Sequence, residues 1–232
     1  MISIVCPFYN EKENLKELCE RILKIANQFQ EPWELILVND GSTDGGAEML
    51  QPFLSSNVRI LSLDNRYGLT TALYAGLQAS KGDILATLDA DLQNPPEEIP
   101  KLLGLLKDVD MVTGVRKKRE DGPIKRISSK IANHIRRSVL GDTMLDVGCS
   151  LRVFKREVLR AFYPYHGMHR FFAPTAEAEG FKVKQVPVEH HLRLHGKSKY
   201  GLMNRLLGPL YDLFSVRWML KRKIRYQIRS SH

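Results

Sequence analysis

The first 115 residues constrain the fold most, because strand-length apolar runs alternate there with helical patterns. The runs at 2–6, 34–38, 58–61, 84–88 and 111–115 are in several cases apolar at consecutive positions. Strands covered on both faces have that pattern. Between the first two runs, Leu15, Leu18, Cys19, Ile22, Leu23 and Ala26 recur at the spacing of one helix face. Residues 71–79 and 97–106 repeat that pattern, the second opened by Pro95-Pro96, a residue type suited to the first turn of a helix. Parallel neighbours need a crossover, and a helix supplies it. The alternation therefore predicts an α/β fold with a mostly parallel, Rossmann-like, doubly wound sheet flanked by helices. The chain has 232 residues, enough for one such domain with a small appendage.

Downstream the pattern loosens. Residues 116–137 hold nine Lys or Arg against Glu120 and Asp121, starting in a loop and running into a helix. This stretch reads either as a solvated helix face or as a membrane-surface element in which Arg136 and Arg137 take part. A strand at 150–154, a helix near 157–162 and a strand at 183–188 follow. From 198 onward Leu202, Leu206, Leu207, Leu210, Leu213, Phe214 and Trp218 predict amphipathic C-terminal helices, kinked at Gly208-Pro209. The predicted division is thus an α/β body over 1–197 and a basic amphipathic segment over 198–232.

The formal charge is +9, and its placement matters more than its size. From Arg193 onward ten basic residues face one acid, Asp212, whereas residues 1–192 balance at 25 of each sign. A neutral body with a basic end argues against a protein that coats nucleic acid, and for a local anionic partner such as a membrane surface. No apolar run reaches the ~18 residues of a membrane-spanning helix. Residues 205–217 suit instead a helix lying in the interface, with Phe214 and Trp218 inserted and Lys221, Arg222, Lys223 and Arg225 toward anionic headgroups. Packing of the same face on its own domain or on a second copy is the competing reading. Three scattered cysteines, Cys6, Cys19 and Cys149, form no metal or disulfide framework and fit a reducing compartment. The chain begins directly with an apolar run and shows no basic leader, so no secretory signal is expected.

The chemistry gathers at the ends of the predicted strands. Asp89-Ala90-Asp91-Leu92-Gln93 follows the run 84–88, and its carboxylates leave the carboxyl edge of a parallel sheet, where open α/β folds place ligands. Two aspartates two apart, with an amide oxygen two further on, can give hard oxygen ligands to Mg²⁺ or Mn²⁺ bridging the phosphates of a nucleotide. The same residues could simply cap a turn. Pro7-Phe8-Tyr9-Asn10-Glu11 and Asp40-Gly41-Ser42-Thr43-Asp44 occupy the ends of the first two strands. An acid there can accept from a base or ribose, and Tyr9 can pack on a base. Each loop alone is equally a turn with an N-cap. Three polar loops at successive strand ends favour the ligand reading.

These motifs, in this order, resemble glycosyltransferase family 2, whose fold is GT-A. Gly114-Val115-Arg116, the segment Asp146-Val147-Gly148-Cys149-Ser150-Leu151-Arg152, and Arg193-Leu194-His195-Gly196-Lys197-Ser198-Lys199-Tyr200 are similar to the polyprenyl-phosphate branch. That branch includes dolichol-phosphate mannose synthases and undecaprenyl-phosphate aminoarabinose transferases. The resemblance covers about residues 1–205. It implies that Pro7, Tyr9, Glu11 and Asp40 line the nucleotide pocket, with Asn10 and Ser42 in the same loops. Asp89 would face sugar and nucleotide, and Asp91 and Gln93 would hold Mg²⁺ or Mn²⁺. Arg116, Arg126, Ser129 and Arg193, with Lys199, would hold the lipid phosphate. The implied catalytic set is Asp89, Asp91, Arg116 and Arg193. The implied enzyme is a metal-dependent hexosyltransferase-type protein, peripheral on the cytosolic membrane face. It would act alone, as a homo-oligomer or with an integral-membrane partner.

A chemical argument supports that acceptor. A hydroxyl needs a general base, but a phosphate monoester is already an anion and needs arginines to position it. Arg217-Trp218 suggests the Gln-x-x-Arg-Trp motif of hydroxyl-directed relatives, yet Phe214 stands at the Gln position. Glu177 and Glu179 read as surface residues. His190, His191 and His195, and likewise His166 and His169, read as structural or exposed residues and not as zinc ligands. The rivals are a nucleotidyltransferase, for which the Gly-rich basic N-terminal loop is missing, and a nonenzymatic protein binding membrane or nucleic acid through its basic end.

Overall fold

The computed structural model describes residues 1–117, 123–192 and 207–224, with backbone alone over 123–130 and at 207 and 209. In chain order the elements are β1 (Ile2–Phe8), α1 (Lys12–Ala26), β2 (Trp33–Asn39), α2 (Gly46–Met49), β3 (Val58–Ser62), α3 (Leu69–Ala79), β4 (Ile84–Thr87) and α4 (Glu98–Gly104). They continue with β5 (Met111–Arg116), α5 (Pro123–Leu140), β6 (Arg152–Lys155), α6 (Phe172–Ala178), β7 (Val183–Val188) and α7 (Leu207–Arg222). All seven predicted strands are present, with ends moved by a few residues. The helix expected near 157–162 is a 3-10 helix, Arg156–Ala161.

The strands form one sheet in the order β3-β2-β1-β4-β6-β5-β7. Every neighbouring pair is parallel except the two that include β6, which runs antiparallel to β4 and to β5. That reversal has a functional consequence. The six parallel strands all end at one edge, and β6 begins there, so the segment 146–152 enters the sheet beside the loops that leave β1, β2, β4 and β5.

Both faces of the sheet are covered, as the continuous apolar runs require. Ile4, Cys6, Leu35, Ala86, Val112 and Val153 pack against Leu15, Leu18, Cys19 and Ile22 of α1 and Ile99 and Leu102 of α4. On the other face Val5, Ile36, Leu85, Met111 and Phe154 meet Ala72, Leu73 and Leu77 of α3 and Phe172, Ala173 and Ala176 of α6. Phe172 meets Phe154 and Phe162 edge to face, with ring centroids 4.9 and 5.0 Å apart. Each large side chain buried here contributes about 1.5–3 kcal/mol relative to exposure.

Helix α7 differs from a simple amphipathic helix. Leu213 and Val216 are buried in the α3/α6 side of the core, yet Leu210, Tyr211, Phe214 and Trp218 are 41%, 77%, 60% and 62% exposed. The helix carries one apolar face inward and a second outward. Periodicity in the sequence records the apolar residues but not which face meets the domain. The Arg217 guanidinium donates to the Val139 carbonyl at the end of α5, fastening the two helices together. Among the described residues no helix is long and apolar enough to cross a membrane.

Candidate active site

The loops after β1 and β2 are sewn together by short polar side chains. The Asn10 amide N–H donates to Ser42 Oγ at 3.0 Å, and the Thr43 N–H donates to Asn10 Oδ1 at 2.8 Å. Asn39 Oδ1 accepts from the Ser42 N–H, and Asp44 accepts from the Lys12 N–H at 2.9 Å. Asn10 sits at φ 50°, a left-handed conformation that Asn tolerates better than most residues. Glu11 is buried and accepts from the Asn14 side chain at 2.7 Å. The Arg66 guanidinium lies 4.2 Å from the Tyr9 ring centroid, forming a cation–π lid over the expected base-stacking residue.

Asp40 ties two loops together. Its carboxylate, 3% exposed, accepts from the backbone N–H of Tyr67 at 2.7 Å and of Gly68 at 2.8 Å, holding the β3–α3 loop against the β2 loop. Gly41, at φ 69°, lets that loop approach, since a Cβ there would sit 2.7 Å from the Asn65 and Arg66 backbone. The loop 63–68 therefore belongs to the site, and the strand-end argument applied to β1, β2 and β4 passed it over.

The Asp89–Gln93 segment lies at the centre of this edge. Leu92 adopts φ 58°, and with Asn10 it is one of two non-glycine residues at positive φ among those described. Both lie in the proposed site, where backbone strain is commonly stored. Asp91 Oδ1 accepts from the Gln93 N–H at 3.2 Å. Gln93 Nε2 donates to the His191 carbonyl, and the Gln93 carbonyl accepts from the His191 N–H at 2.8 Å, tying the loop to the chain after β7. The tie commits the amide nitrogen, and among the described residues no donor takes Oε1. The pKa of Asp89 is pushed up to about 6, first by burial and then by the Asp91 charge, against the opposing Ser150 hydrogen bond and the Arg152 and Arg116 charges.

The segment 146–152 supplies what surrounds Asp89. Ser150 Oγ accepts from the Asp89 N–H at 3.2 Å and from the Asn94 side chain at 3.2 Å. Arg152 pairs across the sheet with Thr87 and Thr113 and is 3% exposed; its Nη2 donates to the Val147 carbonyl at 3.2 Å. Burial works against its charge, while Cys149, Asp89 and Asp146 favour it. Arg116, ending β5, donates from Nε and Nη2 to the two Asp146 oxygens at 2.7 and 2.8 Å. Burial opposes the Arg116 charge, but the Asp146 hydrogen bonds and charge overcome it and raise its pKa.

A match to the glycosyl transferase family 2 model spans residues 3–162. The chain belongs to glycosyltransferase family 2. Two family members, the undecaprenyl-phosphate 4-deoxy-4-formamido-L-arabinose transferases of Edwardsiella ictaluri and Pectobacterium carotovorum, are 38% and 39% identical to it. Those matches cover 91% and 92% of this chain and 66% of each relative, so the chain spans a little under two thirds of their length. Mycobacterium tuberculosis glucosyl-3-phosphoglycerate synthase in complex with Mg²⁺ and uridine diphosphate superposes with a TM-score of 0.70 at 22% identity, over 92% of this chain and 79% of that one. Its complex with Mn²⁺, uridine-diphosphate-glucose and phosphoglyceric acid gives 0.69 at 21% identity, over 94% and 79%. The fold is GT-A, as the sequence resemblance implied.

Of the residues that the family resemblance singles out, Pro7, Tyr9, Asn10, Glu11, Asp40, Ser42, Asp89, Asp91, Gln93 and Arg116 all belong to this edge. Arg193 and Lys199 lie outside the described residues, as do His195 and the side chains of Arg126 and Ser129. Arg136 is corrected: it is 5% exposed and pairs with Asp142 at 2.7 Å, so it is a buried structural charge with no part in a membrane face. Glu177 and Glu179 are also more than surface charges. Glu177 accepts from the Thr143 N–H and hydroxyl, and Glu179 from the Tyr163 hydroxyl and Lys223. His169 packs with Nδ1 2.7 Å from the Thr70 hydroxyl.

Proposed function

We propose that this chain transfers a sugar from a GDP- or UDP-linked donor to a polyprenyl phosphate such as dolichyl or undecaprenyl phosphate, inverting the anomeric configuration. The observation that carries the reading is the meeting of two charge environments at one sheet edge. The half-buried Asp89 and the buried Asp91 stand on the donor side and the oriented Arg116 on the acceptor side, with Asp89 feeling both. The names of the undecaprenyl-phosphate relatives support the acceptor class and make 4-deoxy-4-formamido-L-arabinose the first donor sugar to try.

The loops after β1, β2 and β3 bind the nucleotide and fix its direction. Asp89 orients the donor sugar, and Arg116 with Arg193, Arg126, Ser129 and Lys199 holds the acceptor phosphate. A phosphate oxygen attacks the anomeric carbon from the face opposite the leaving nucleoside diphosphate. A positioned anion needs no base, and the effective concentration gained by holding both reactants supplies much of the acceleration. Among the described residues no group of three or more His, Cys, Asp or Glu could hold a metal by itself. Two adjacent carboxylates do fit Mg²⁺ or Mn²⁺, which share their shell with substrate phosphates and water. Asp91 and Gln93 Oε1 would hold such an ion, whose chemistry is to neutralise the departing diphosphate.

The exposed α7 face, followed by Lys221, Arg222 and Lys223, supports peripheral docking on an anionic cytosolic leaflet, each basic residue adding about 1 kcal/mol. The segment 198–232 is in this reading a functional appendage to the catalytic body 1–197, although α7 shares the body's core. A homo-oligomer or integral-membrane partner would add to this anchorage.

The test is incubation with a short-chain polyprenyl phosphate, Mg²⁺ or Mn²⁺ and a panel of labelled GDP- and UDP-sugars. Label should enter the organic phase, and EDTA or Asp91→Ala should cut the rate about a hundredfold or more while the protein stays folded. A folded, nucleotide-binding protein that transfers no label from any donor contradicts the proposed acceptor.

A further inference from the structure

Arg116 is unusually constrained for a residue at the end of a strand. Its Nε and Nη2 donate to Asp146 Oδ2 and Oδ1 at 2.7 and 2.8 Å, and its own backbone N–H reaches Asp146 Oδ2 at 3.3 Å. The Asp146 side chain is 6% exposed, and its Oδ1 also accepts from the Gly148 N–H at 3.1 Å. A Cβ at Gly148 would stand 2.7 Å from Arg116 Nη2. One residue thus grips the guanidinium, and another makes room for it.

The grip is not needed to hold β5. That strand is already laddered between β6 and β7, and its C-terminal half is fixed by Gly114 N–H to the Leu151 carbonyl and Lys117 N–H to the Val188 carbonyl. What Asp146 and Gly148 add at the end of β5 is the orientation of the Arg116 side chain. A guanidinium bound along its Nε–Nη2 edge keeps its Nη1 end as a second donor fork, and among the described residues no acceptor takes Nη1. We propose that Asp146 and Gly148 are positioning residues for the acceptor phosphate, holding Arg116 so that its Nη1 edge meets the phosphate oxygens. This rests on the acceptor reading given above and assigns a task to the segment 146–148.

The inference makes the effect of Asp146 pass through Arg116. The experiment measures binding of geranyl phosphate, a short prenyl phosphate, by titration calorimetry to wild type, R116A, D146A, D146N, G148A and the double variant R116A/D146A. Nucleoside diphosphate binding to each protein is measured in parallel as a check that the donor side is intact. R116A should weaken geranyl phosphate binding about tenfold or more, the scale of a lost charge-assisted bond. D146A should lose a comparable factor, D146N and G148A a smaller one, and the double variant no more than R116A alone. Nucleoside diphosphate affinity should stay within about twofold throughout, as expected for groups outside the lost contact. Should D146A fail to fold, G148A carries the test, because it keeps both charges and crowds the guanidinium at Nη2.

Losses for R116A and D146A that multiply in the double variant would overturn the inference while leaving the acceptor reading in place. A G148A variant that binds geranyl phosphate like wild type would overturn the part played by Gly148. Wild type that binds geranyl phosphate with R116A unaffected would remove Arg116 from the acceptor site and the inference with it. No binding by wild type would overturn both.

Discussion

The two sides of the site are held by different forces. On the proposed donor side, Asn10, Asn39, Ser42, Thr43 and Asp44 fix the β1 and β2 loops through short hydrogen bonds, most of them with a backbone group at one end. On the proposed acceptor side, Arg116–Asp146 and the adjoining Arg136–Asp142 are charge pairs in partly or fully dry surroundings, and Arg152 lies buried near Arg116 and Asp146. Hydrogen bonds of the first kind contribute about 0.5–1.5 kcal/mol each and fail gradually. Buried pairs contribute little net stability, but breaking one strands its partner at a cost of about 3–5 kcal/mol. The donor side should tolerate single substitutions and the acceptor side should not.

The largest test of that contrast is Arg136→Met, which leaves Asp142 buried without its ion-pair partner and should lower stability by about 3–5 kcal/mol. Urea unfolding measures it, and restoration by the double change Arg136→Met with Asp142→Leu would show that the stranded charge is responsible. A loss under about 1 kcal/mol would erase the distinction.

Next in size is a pH effect at His169, packed against α3 and reached by the Arg152 charge. The pKa of His169 is lowered from 6.5 to about 3 by burial and by the Arg170 and Arg152 charges. Below pH 6.5 the unfolded chain takes up a proton that the folded protein refuses until pH 3. The stabilising difference is therefore complete above 6.5 and is lost as pH falls toward 3. The urea midpoint should drop between pH 7.5 and pH 5, and His169→Gln should drop less over the same interval.

On the donor side, Ser42→Ala removes one acceptor for a backbone N–H, and should cost only about 1 kcal/mol and a few-fold in nucleotide affinity. A loss as large as that of Arg136→Met would show that the two sides do not differ. The smallest effect on stability belongs to the outward face of α7. Phe214→Ser with Trp218→Ser should change the unfolding free energy by less than about 0.5 kcal/mol. Binding to vesicles containing phosphatidylglycerol should nonetheless fall strongly, and unchanged vesicle binding would remove α7 from the membrane interface.

The donor side was also the more legible in the sequence, for the same physical reason. Its residues sit in short loops after apolar runs, so Tyr9, Asp40 and Asp91 could be placed at one sheet edge from strand order alone. The β3 loop with Arg66 was within reach of that rule, since Asp64-Asn65 sets an acid beside an amide at a strand end as in the other three, and it was passed over. The acceptor side depends on contacts between residues far apart in the chain. Nothing local shows that β6 runs against its neighbours and so delivers Asp146, Ser150 and Arg152 to Asp89. Nor could composition separate buried Arg136 from exposed Arg137 in one basic run. For α7, helical spacing was correct, but two apolar faces on one helix look like one broad face until the domain beside it is known.

The most direct test of the central claim is to follow phosphorus in the reaction by ³¹P NMR, with a short polyprenyl phosphate and the active nucleotide-sugar. Sugar transfer to the lipid phosphate converts its monoester signal to that of a sugar phosphodiester and releases nucleoside diphosphate, one for each lipid consumed. The account predicts that outcome. Release of nucleoside monophosphate with a lipid diphosphate would mean attack at phosphorus instead of the anomeric carbon, and would contradict it.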